Sequence, residues 1–353
     1  MRLTSKTLAI TVMAASLALA GANTAAARPA AAPGAGAPPQ AAASGIVNTS
    51  AGARSAAAYW TKARMAAATP EPMPVKSAKT AAPTADRLPA ISAAPTAPAK
   101  TGARPNGAAR LLAGSAAALW SPHGTMPALT TGKLYFTRTD GSGGYCTGSV
   151  ITAANLNTVW TAGHCINAGS GGGYFSNFNF VPDTDNGNIP WGTWSWKYAN
   201  TTVGWANSGD PHYDVAAIAF YPQTARGSMQ NFLGAQGYRF GYGQSFSVTD
   251  FGYPQSGYNR TDFPANGSRL YYCTGQTYRK SSSDDLIGLS CDMHHGASGG
   301  PWLTELASWG GGYIVGAYSH RTVNSSGVPI DIEARSANHG DGAINVYNDV
   351  SIR

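Results

Sequence analysis

Three short stretches carry the residue types that nucleophilic catalysis requires. Serine is a poor nucleophile at neutral pH, so it needs a base within reach, an acid that orients the base, and N–H donors aimed at the developing oxyanion. Ser298 lies in a glycine-rich turn, His164 follows an apolar run and precedes a cysteine, and Asp214 precedes a nearly all-apolar run. The three stretches are GASGGP, VWTAGHC and HYDVAAIAFY, at residues 296–301, 159–165 and 212–221. They predict a hydrolase with a serine nucleophile.

Other residues compete for these roles. Asp210 also lies near the apolar run, but Pro211 follows it and no strand follows directly. His294 and His295 could bind a metal, but no third ligand lies nearby in the sequence. We therefore interpret this pair as residues at the rim of a cleft, and we expect no metal and no cofactor.

A different hydrolase fold also fits part of the pattern. GASGG satisfies G-x-S-x-G, the nucleophile elbow of α/β-hydrolases, and Asp331 and His339 could complete that triad. The elbow must lead into a long helix, whereas the residues from Pro301 onward indicate loop and strand. An esterase of this type is the less favoured alternative.

The elements that must position these residues are short β-strands. Aromatic and β-branched residues occur in alternating runs separated by Gly, Asn, Asp and Pro, which is typical of an all-β barrel or sandwich. These runs cover residues 133–138, 144–151, 214–221, 246–253, 268–273 and 313–319. Helical periodicity is missing until Asp341, which could cap a helix running through Ile344, Tyr347 and Val350.

Together, the three stretches resemble the signature blocks of the chymotrypsin-like, trypsin-fold serine endopeptidases. They occur in that family's order of His, Asp and Ser. The stretch CTGSVIT, from Cys146, also resembles the family's strand before the histidine. The resemblance covers about residues 120–353 and points to the secreted bacterial branch related to the glutamyl endopeptidases.

The resemblance implies a role for each residue. His164 would be the general base, Asp214 its orienting acid and Ser298 the nucleophile that forms an acyl-enzyme. The N–H groups of Gly296 and Ser298 would form the oxyanion hole. The disulfides would be Cys146–Cys165 and Cys273–Cys291. The implied fold is all-β, with two perpendicular six-stranded antiparallel β-barrels and a C-terminal helix, and with the catalytic residues in the cleft between the barrels.

A trypsin-fold protein that has lost catalysis and serves only in binding is the other alternative. Such proteins usually lack a catalytic residue, whereas all three are present here. The sequence therefore favours an endopeptidase.

The primary substrate preference stays open. In the family, the residue six positions before the serine floors the primary pocket, which gives Asp292 and a preference for Arg or Lys. Alignment on Cys291 instead gives Leu289. The pocket wall GAYSHR, from residue 316, departs from the family's usual Ser-Trp-Gly. It brings Tyr318, Ser319, His320 and Arg321 near the pocket, and the last two would favour acidic substrates.

Ala297 occupies a position that takes part in zymogen activation in other members of the family. In animal members of the family this position is an aspartate, which pairs with the new N-terminal ammonium after cleavage. Alanine cannot form that ion pair. We therefore expect the loop around Ser298 to be held by local hydrogen bonds.

The N-terminal third differs from the rest of the chain. Residues 1–27 are predicted to be a signal peptide, with Arg2 and Lys6 before an apolar run that is too short to span a bilayer. Residues 28–115 are rich in Ala and Pro and predict a prosegment or linker, largely disordered apart from a possible helix over residues 51–68. Residues 116–353 would form the peptidase domain. Four cysteines behind a secretion signal indicate two disulfides.

The charge is unevenly divided between these parts. Residues 1–115 carry 12 Lys and Arg against 2 Asp and Glu, and residues 116–353 carry 12 against 15. The folded part is therefore mildly acidic, and a diffuse basic tail is not a nucleic-acid site. We expect a secreted monomer that acts on proteins or peptides and has no nucleic-acid or membrane partner.

Overall fold

Three β-sheets make up most of the regular structure in the computed structural model, which describes residues 37–74, 85–99, 114–324, 326 and 328–353. The predicted signal peptide, residues 1–27, lies outside these ranges. Within them, no helix has both the length and the apolar character needed to cross a membrane.

The described residues 37–74 and 85–99, called the N-terminal segment below, contribute short elements that pack on the rest of the chain. They are β1 (Ile46–Val47), α1 (Ser50–Tyr59), α2 (Lys62–Ala67), β2 (Thr69–Pro70) and β3 (Ile91–Ala93), and β4 (Ala118–Leu119) follows. The helix predicted over residues 51–68 forms as two helices, because the chain turns at Trp60 and the Thr61 side chain caps α2. The Trp60 indole N–H donates to the Asn177 carbonyl at 2.6 Å, which ties this turn to the first barrel.

The expected disorder of this segment is not found in residues 37–74 and 85–99. Its short strands take their hydrogen-bond partners from sheet edges far along the chain: β1 pairs with Tyr198 and Ala199, and β3 pairs with residues 238–240. Composition could not reveal this, because the segment does not build a core of its own. Its apolar side chains pack instead against those of the first barrel, as Trp60 does with Tyr135 and Tyr145.

The first half of residues 131–353 is dominated by a closed six-stranded antiparallel barrel. Its strands are β5 (Thr131–Thr137), β6 (Gly143–Ile151), β7 (Thr158–Thr161), β8 (Ser176–Pro182), β9 (Trp194–Thr201) and β10 (Ala216–Phe220), with α3 (Val203–Ser208) before β10. The order is β9-β10-β7-β6-β5-β8, and β8 pairs back to β9 to close the barrel. Large apolar side chains fill it, including Trp194 and the stacked rings of Phe136 and Phe175.

The second half consists of two further sheets and a terminal helix. Its elements are α4 (Met229–Leu233), β11 (Gly237–Phe240), β12 (Ser247–Gly252), β13 (Tyr271–Gln276), β14 (Tyr278–Ser281), β15 (Asp284–Ser290), β16 (Pro301–Thr304), β17 (Tyr313–Ala317), β18 (His320–Val323), β19 (Pro329–Ser336) and α5 (Asp341–Val350). One sheet has the order β3-β11-β17-β16-β12-β13-β4, and the other has the order β14-β15-β19-β18. The predicted all-β class with a C-terminal helix is confirmed. The α/β-hydrolase alternative is wrong, because a strand, β16, follows Ser298 instead of a long helix.

The start of α5 differs from the prediction that Asp341 caps it. Asp341 is the first residue of the helix, and its carboxylate accepts the N–H groups of Arg87 and Leu88 at 2.9–3.0 Å. In return, the Asp86 carboxylate accepts the Asp341 N–H at 2.9 Å. The N-terminal segment therefore supplies the cap of the C-terminal helix.

Both disulfides join the cysteines expected from the resemblance. Cys146 of β6 bonds to Cys165, and Cys273 of β13 bonds to Cys291. The first bridge fixes the turn that carries His164, and the second lies at the start of the loop that carries Ser298.

Candidate active site

His164 lies in a single helical turn directly after β7. Gly163 precedes it because a side chain there would collide with the Trp205 ring and the Asp214 carboxylate, which lie within 2.9 Å of the place its Cβ would occupy. The His164 backbone N–H donates to Asp214 Oδ1 at 2.7 Å, and Nδ1–H donates to Asp214 Oδ2 at 2.8 Å. These two bonds fix the ring so that Nε2 faces away from the carboxylate.

Asp214 is fully buried between the turn at residues 211–213 and strand β10. Burial alone would raise the pKa of Asp214, but His164 and the hydrogen bonds from His164 and Ser319 outweigh it and hold the pKa below its ordinary value. The Ser319 hydroxyl donates to Oδ2. Asp210, the competing acid, caps the preceding turn and accepts a hydrogen bond from His212, so it faces away from His164.

Ser298 lies in the turn between β15 and β16, where Gly296 and Gly299 have φ of +95° and +78°. Both conformations favour glycine, and a Cβ on Gly299 would lie 2.3 Å from the Thr147 carbonyl and 3.2 Å from Ala162 N. The Thr147 N–H donates to the Ser298 carbonyl at 2.7 Å. Since Thr147 follows Cys146 and Ala162 lies two residues before His164, the serine turn packs directly on the histidine turn.

The predicted oxyanion hole is formed by a loop with its own hydrogen bonds. The His295 carbonyl accepts the Gln255 N–H at 2.7 Å, which turns the adjoining N–H of Gly296 to the opposite side of that peptide. The Ala297 N–H donates to the His294 carbonyl at 3.0 Å. The N–H groups of Gly296 and Ser298 make no hydrogen bond within the described residues. Ala297 itself is fully buried among apolar side chains.

His164 Nε2 and Ser298 Oγ are both buried, and neither makes a hydrogen bond within the described residues, either to the other or to a third group. These are the two atoms between which a proton would pass during nucleophilic attack. Proton-transfer contacts are often long before substrate binds and tighten in the complex.

The residues predicted around the substrate pocket have defined partners. Asp292 accepts the Ala117 N–H and an Arg260 N–H, each at 2.8 Å, so both of its oxygens are occupied. The Tyr318 hydroxyl donates to the Met293 carbonyl at 2.6 Å. Ser319 Oγ lies 2.9 Å from His320 Nδ1, and its proton goes to Asp214. Leu289, the other candidate floor residue, is fully buried on β15.

Arg321 is buried behind this wall. It donates to the Tyr318 hydroxyl at 3.1 Å, to the Asp331 carbonyl at 3.0 Å and to the Cys291 carbonyl. Asp250, which the sequence did not single out, is also fully buried nearby. Burial raises the pKa of Asp250 well above its ordinary value, with Arg321 and the Trp302 indole acting in the opposite direction.

The histidine pair lies beside the pocket, with ring centroids 4.0 Å apart. Burial, together with His295 and Arg321, lowers the pKa of His294 to about 2, so this ring stays neutral. Three groups of described side chains could jointly reach a metal ion. Two of these groups contain the disulfide cysteines, and the third is His212 with Asp284 and Asp285. Neither His294 nor His295 belongs to any of them.

The sequence did not indicate that residues 69–74 reach the site. Glu71, Pro72 and Pro74 line a cavity of ≈ 310 Å³ together with His164 and Trp205. The alternating prolines in TPEPMP are the one local signal of an extended segment.

Comparison with known proteins connects the chain to proteases. No protein-family model matches it. A curated extracellular metalloprotease of Bacillus subtilis (strain 168) is 36% identical over 111 residues, which is 30% of this chain and 33% of that protein. The chain therefore spans about a third of the length of that curated relative.

Solved structures match over a larger share. The protease Anisep from Arthrobacter nicotinovorans is 31% identical and aligns over 65% of this chain and 98% of its own, with a TM-score of 0.56. A thermostable serine protease from an extremophilic microorganism is 28% identical over 64% of this chain and 98% of its own, with a TM-score of 0.56. A Glu endopeptidase, at 19% identity and a TM-score of 0.52, shares the fold.

Proposed function

The chain belongs to the trypsin-fold serine peptidases, and from that membership we propose that it is a secreted endopeptidase with the triad His164, Asp214 and Ser298. The observation that supports the triad most directly is the pair of hydrogen bonds from His164 to Asp214, beside a serine turn packed on the histidine turn. Proteins and peptides are the proposed substrates, and the enzyme acts as a monomer.

Each residue has a defined part in the proposed mechanism. His164 Nε2 takes the proton of Ser298 Oγ as that oxygen attacks the scissile carbonyl carbon. The carbonyl oxygen becomes an oxyanion, which accepts the N–H groups of Gly296 and Ser298. His164 then gives its proton to the leaving amine, and the carbon–nitrogen bond breaks to leave an acyl-enzyme. Water, deprotonated by His164, hydrolyses this ester and restores the serine.

The buried carboxylate of Asp214 orients His164 for these proton transfers. It accepts Nδ1–H and so keeps the neutral imidazole in the tautomer whose Nε2 is a base. It also stabilises the imidazolium that forms during attack. The lowered pKa of Asp214 keeps it ionised at neutral pH, where this stabilisation is needed.

A metal-dependent mechanism is the second candidate, because the Bacillus subtilis relative is named as a metalloprotease. The donor set beside the catalytic histidine does not fit one. It consists of His164 with Cys146 and Cys165, and these cysteines are bonded to each other, so neither offers a thiolate. The serine mechanism is therefore preferred.

Labelling with a fluorophosphonate tests the proposal. The processed protein should be labelled on Ser298 and should lose peptidase activity, while EDTA should leave activity unchanged. Ser298→Ala should lower kcat by about 10⁴ to 10⁶ and keep the fold, as measured by circular dichroism. Activity that EDTA abolishes and that survives in Ser298→Ala would overturn the serine mechanism.

Secretion and activation complete the proposal. Residues 1–27 would direct export, and the two disulfides suit an oxidising compartment. Residues 28–115 would form the prosegment of a zymogen. N-terminal sequencing of the protein from the culture medium tests both boundaries.

A further inference from the structure

We propose that residues 69–74 lie in the substrate cleft as a built-in occupant, and that Met73 marks the primary pocket as one for apolar side chains of the size of Met or Leu. This inference rests on the proposed function and adds a substrate class to it. The segment reads TPEPMP.

The segment enters the cleft along the strand that supports the catalytic residues. β2 pairs with β6 at Gly144 and Tyr145, and the Glu71 N–H donates to the Tyr145 carbonyl at 3.0 Å. Directly after Tyr145, β6 carries Cys146, which is bonded to the histidine turn, and Thr147, which holds the serine turn. The strand β2 therefore places the following residues beside His164 and Ser298.

Residues 71–74 then lie over His164. Glu71, Pro72 and Pro74 line the same cavity as His164. With the segment in place, His164 is 3% exposed and Ser298 is 0% exposed. A protein substrate needs this surface, so the segment and a substrate exclude each other.

Met73 is buried in the apolar cluster beside the nucleophile. It is 8% exposed and packs in the cluster that contains Met293, Ala297 and Tyr318. The first two belong to the loop of Ser298, and the third precedes Ser319, which binds Asp214. A side chain that enters this cluster next to Ser298 occupies the position of the substrate residue whose carbonyl is attacked.

Two charged residues near this pocket, Asp292 and Arg321, already have partners. Asp292 is neutralised by Arg260 and accepts the Ala117 N–H. Arg321 gives hydrogen bonds to the Tyr318 hydroxyl and to two backbone carbonyls. A charged substrate side chain would therefore lose its water without finding Asp292 or Arg321 free as a counter-charge, which is costly in a buried site. An apolar side chain such as that of Met or Leu has no such cost.

An ion pair holds the segment in place. Arg138 Nε donates to Glu71 Oε2 at 2.5 Å, and the two side chains are only 14% and 12% exposed. The same guanidinium donates to the Thr69 and Pro70 carbonyls at 3.1 Å. Prolines at positions 70, 72 and 74 fix φ and keep this stretch extended. Arg138 therefore binds the segment through two backbone carbonyls and through the Glu71 carboxylate.

The rate at which a fluorophosphonate labels Ser298 in the full-length, unprocessed chain tests the covering role. Met73→Asp and Arg138→Gln should each raise this rate at least about tenfold, because each opens the covered state. Met73→Leu and Val47→Asp should label as slowly as the parent chain. Val47 is the matched control, since it lies in the same N-terminal segment but is 76% exposed on β1. Circular dichroism checks that all four variants fold.

A peptide library, cleaved by the processed enzyme, tests the pocket. We expect kcat/KM for Met or Leu at the primary position to exceed that for Arg and for Glu by about tenfold or more. Preference for Glu or Arg would overturn the assignment of the pocket, and equal labelling of all chains would overturn the covering role. Absence of labelling in every variant, processed or not, would instead overturn the proposed function and this inference with it.

Discussion

At the residue scale, the surroundings of Asp214 determine what the site can do. The carboxylate receives the His164 backbone N–H, the His164 ring and the Ser319 hydroxyl. The sequence indicated Asp214 because a nearly all-apolar run follows it. It could not indicate the contact with Ser319, because 105 residues separate the two and only the packing of the two halves brings them together.

Replacing Asp214 with Asn should lower kcat by about 10⁴ with little change in KM. The amide would donate to Nδ1 instead of accepting from it, so the imidazole would present the wrong tautomer to Ser298. Steady-state kinetics on an apolar peptide substrate, with the active-site concentration set by titration, measures this. Asp210→Asn is the matched control and should retain activity, since Asp210 faces His212. A comparable loss in both variants would contradict the assignment of the acid.

The polarity of the primary substrate pocket could not be predicted from the sequence. Counting from Ser298 pointed to Asp292 as a charged floor, but Arg260 and the Ala117 N–H engage that carboxylate. The buried Asp250 has no sequence signal that separates it from a surface residue. Pocket polarity depends on which charges are already paired, and pairing is a property of the folded chain.

At the scale of elements, the strands were predictable and their partners were not. The runs at residues 133–138 and 144–151 became β5 and β6 because successive side chains of a strand point to opposite faces, which alternation in the sequence reflects. Both strands are buried on both faces. The two- and three-residue strands β1, β2 and β3 have no such pattern. They exist because the edges of the two larger sheets accept them.

The ion pairs that His212 forms with Asp210 and Asp284 should make the stability of the fold depend on pH. His212 lies in the turn before Asp214, within 2.7 Å of Asp210 and 3.1 Å of Asp284 on β15. Burial would lower the pKa of His212, but the carboxylates of Asp210, Asp285 and Asp284 outweigh it and raise the pKa. A raised pKa in the folded state means that the protonated ring stabilises the fold below its ordinary pKa and that this stability is lost as the pH rises.

His212→Gln should therefore lower the Tm more at pH 5.5 than at pH 9. The comparison belongs in a Ser298→Ala background, where self-digestion cannot interfere. Thermal unfolding followed by circular dichroism at both pH values measures the difference. A constant Tm difference across this range would show that the ring acts only through packing.

At the scale of the whole molecule, the N-terminal segment spans both halves of the catalytic region. It adds β1 to the first barrel and β3 to the sheet of the second half. At the start of α5, the Asp86 carboxylate accepts the Asp341 N–H, and the Asp341 carboxylate accepts the N–H groups of Arg87 and Leu88. Low complexity led to an expectation of disorder because the segment has few apolar residues of its own. Residues 37–74 and 85–99 are instead ordered by the surfaces that they cover.

Cutting the chain between residues 100 and 113 should therefore leave one particle. A site for a specific protease, inserted between residues 104 and 110, would allow this cut. The two fragments should co-elute in size-exclusion chromatography and separate only on a denaturing gel, and Ser298 should stay slow to label. Separation of the fragments under native conditions would show that the strand pairings are too weak to hold the segment without the covalent link.

The position of β1 and β3 in the chain has a consequence for the order of events during synthesis. Both strands leave the ribosome first, but their partners β9 and β11 follow only at residues 194–201 and 237–240. The N-terminal segment therefore cannot form its strand pairs until β9 and β11 have been made, and it docks as these strands form. A newly made molecule would complete its fold with the nucleophile already covered. Since every molecule is made with its own occupant of the cleft, the producing cell would then be protected from its own product.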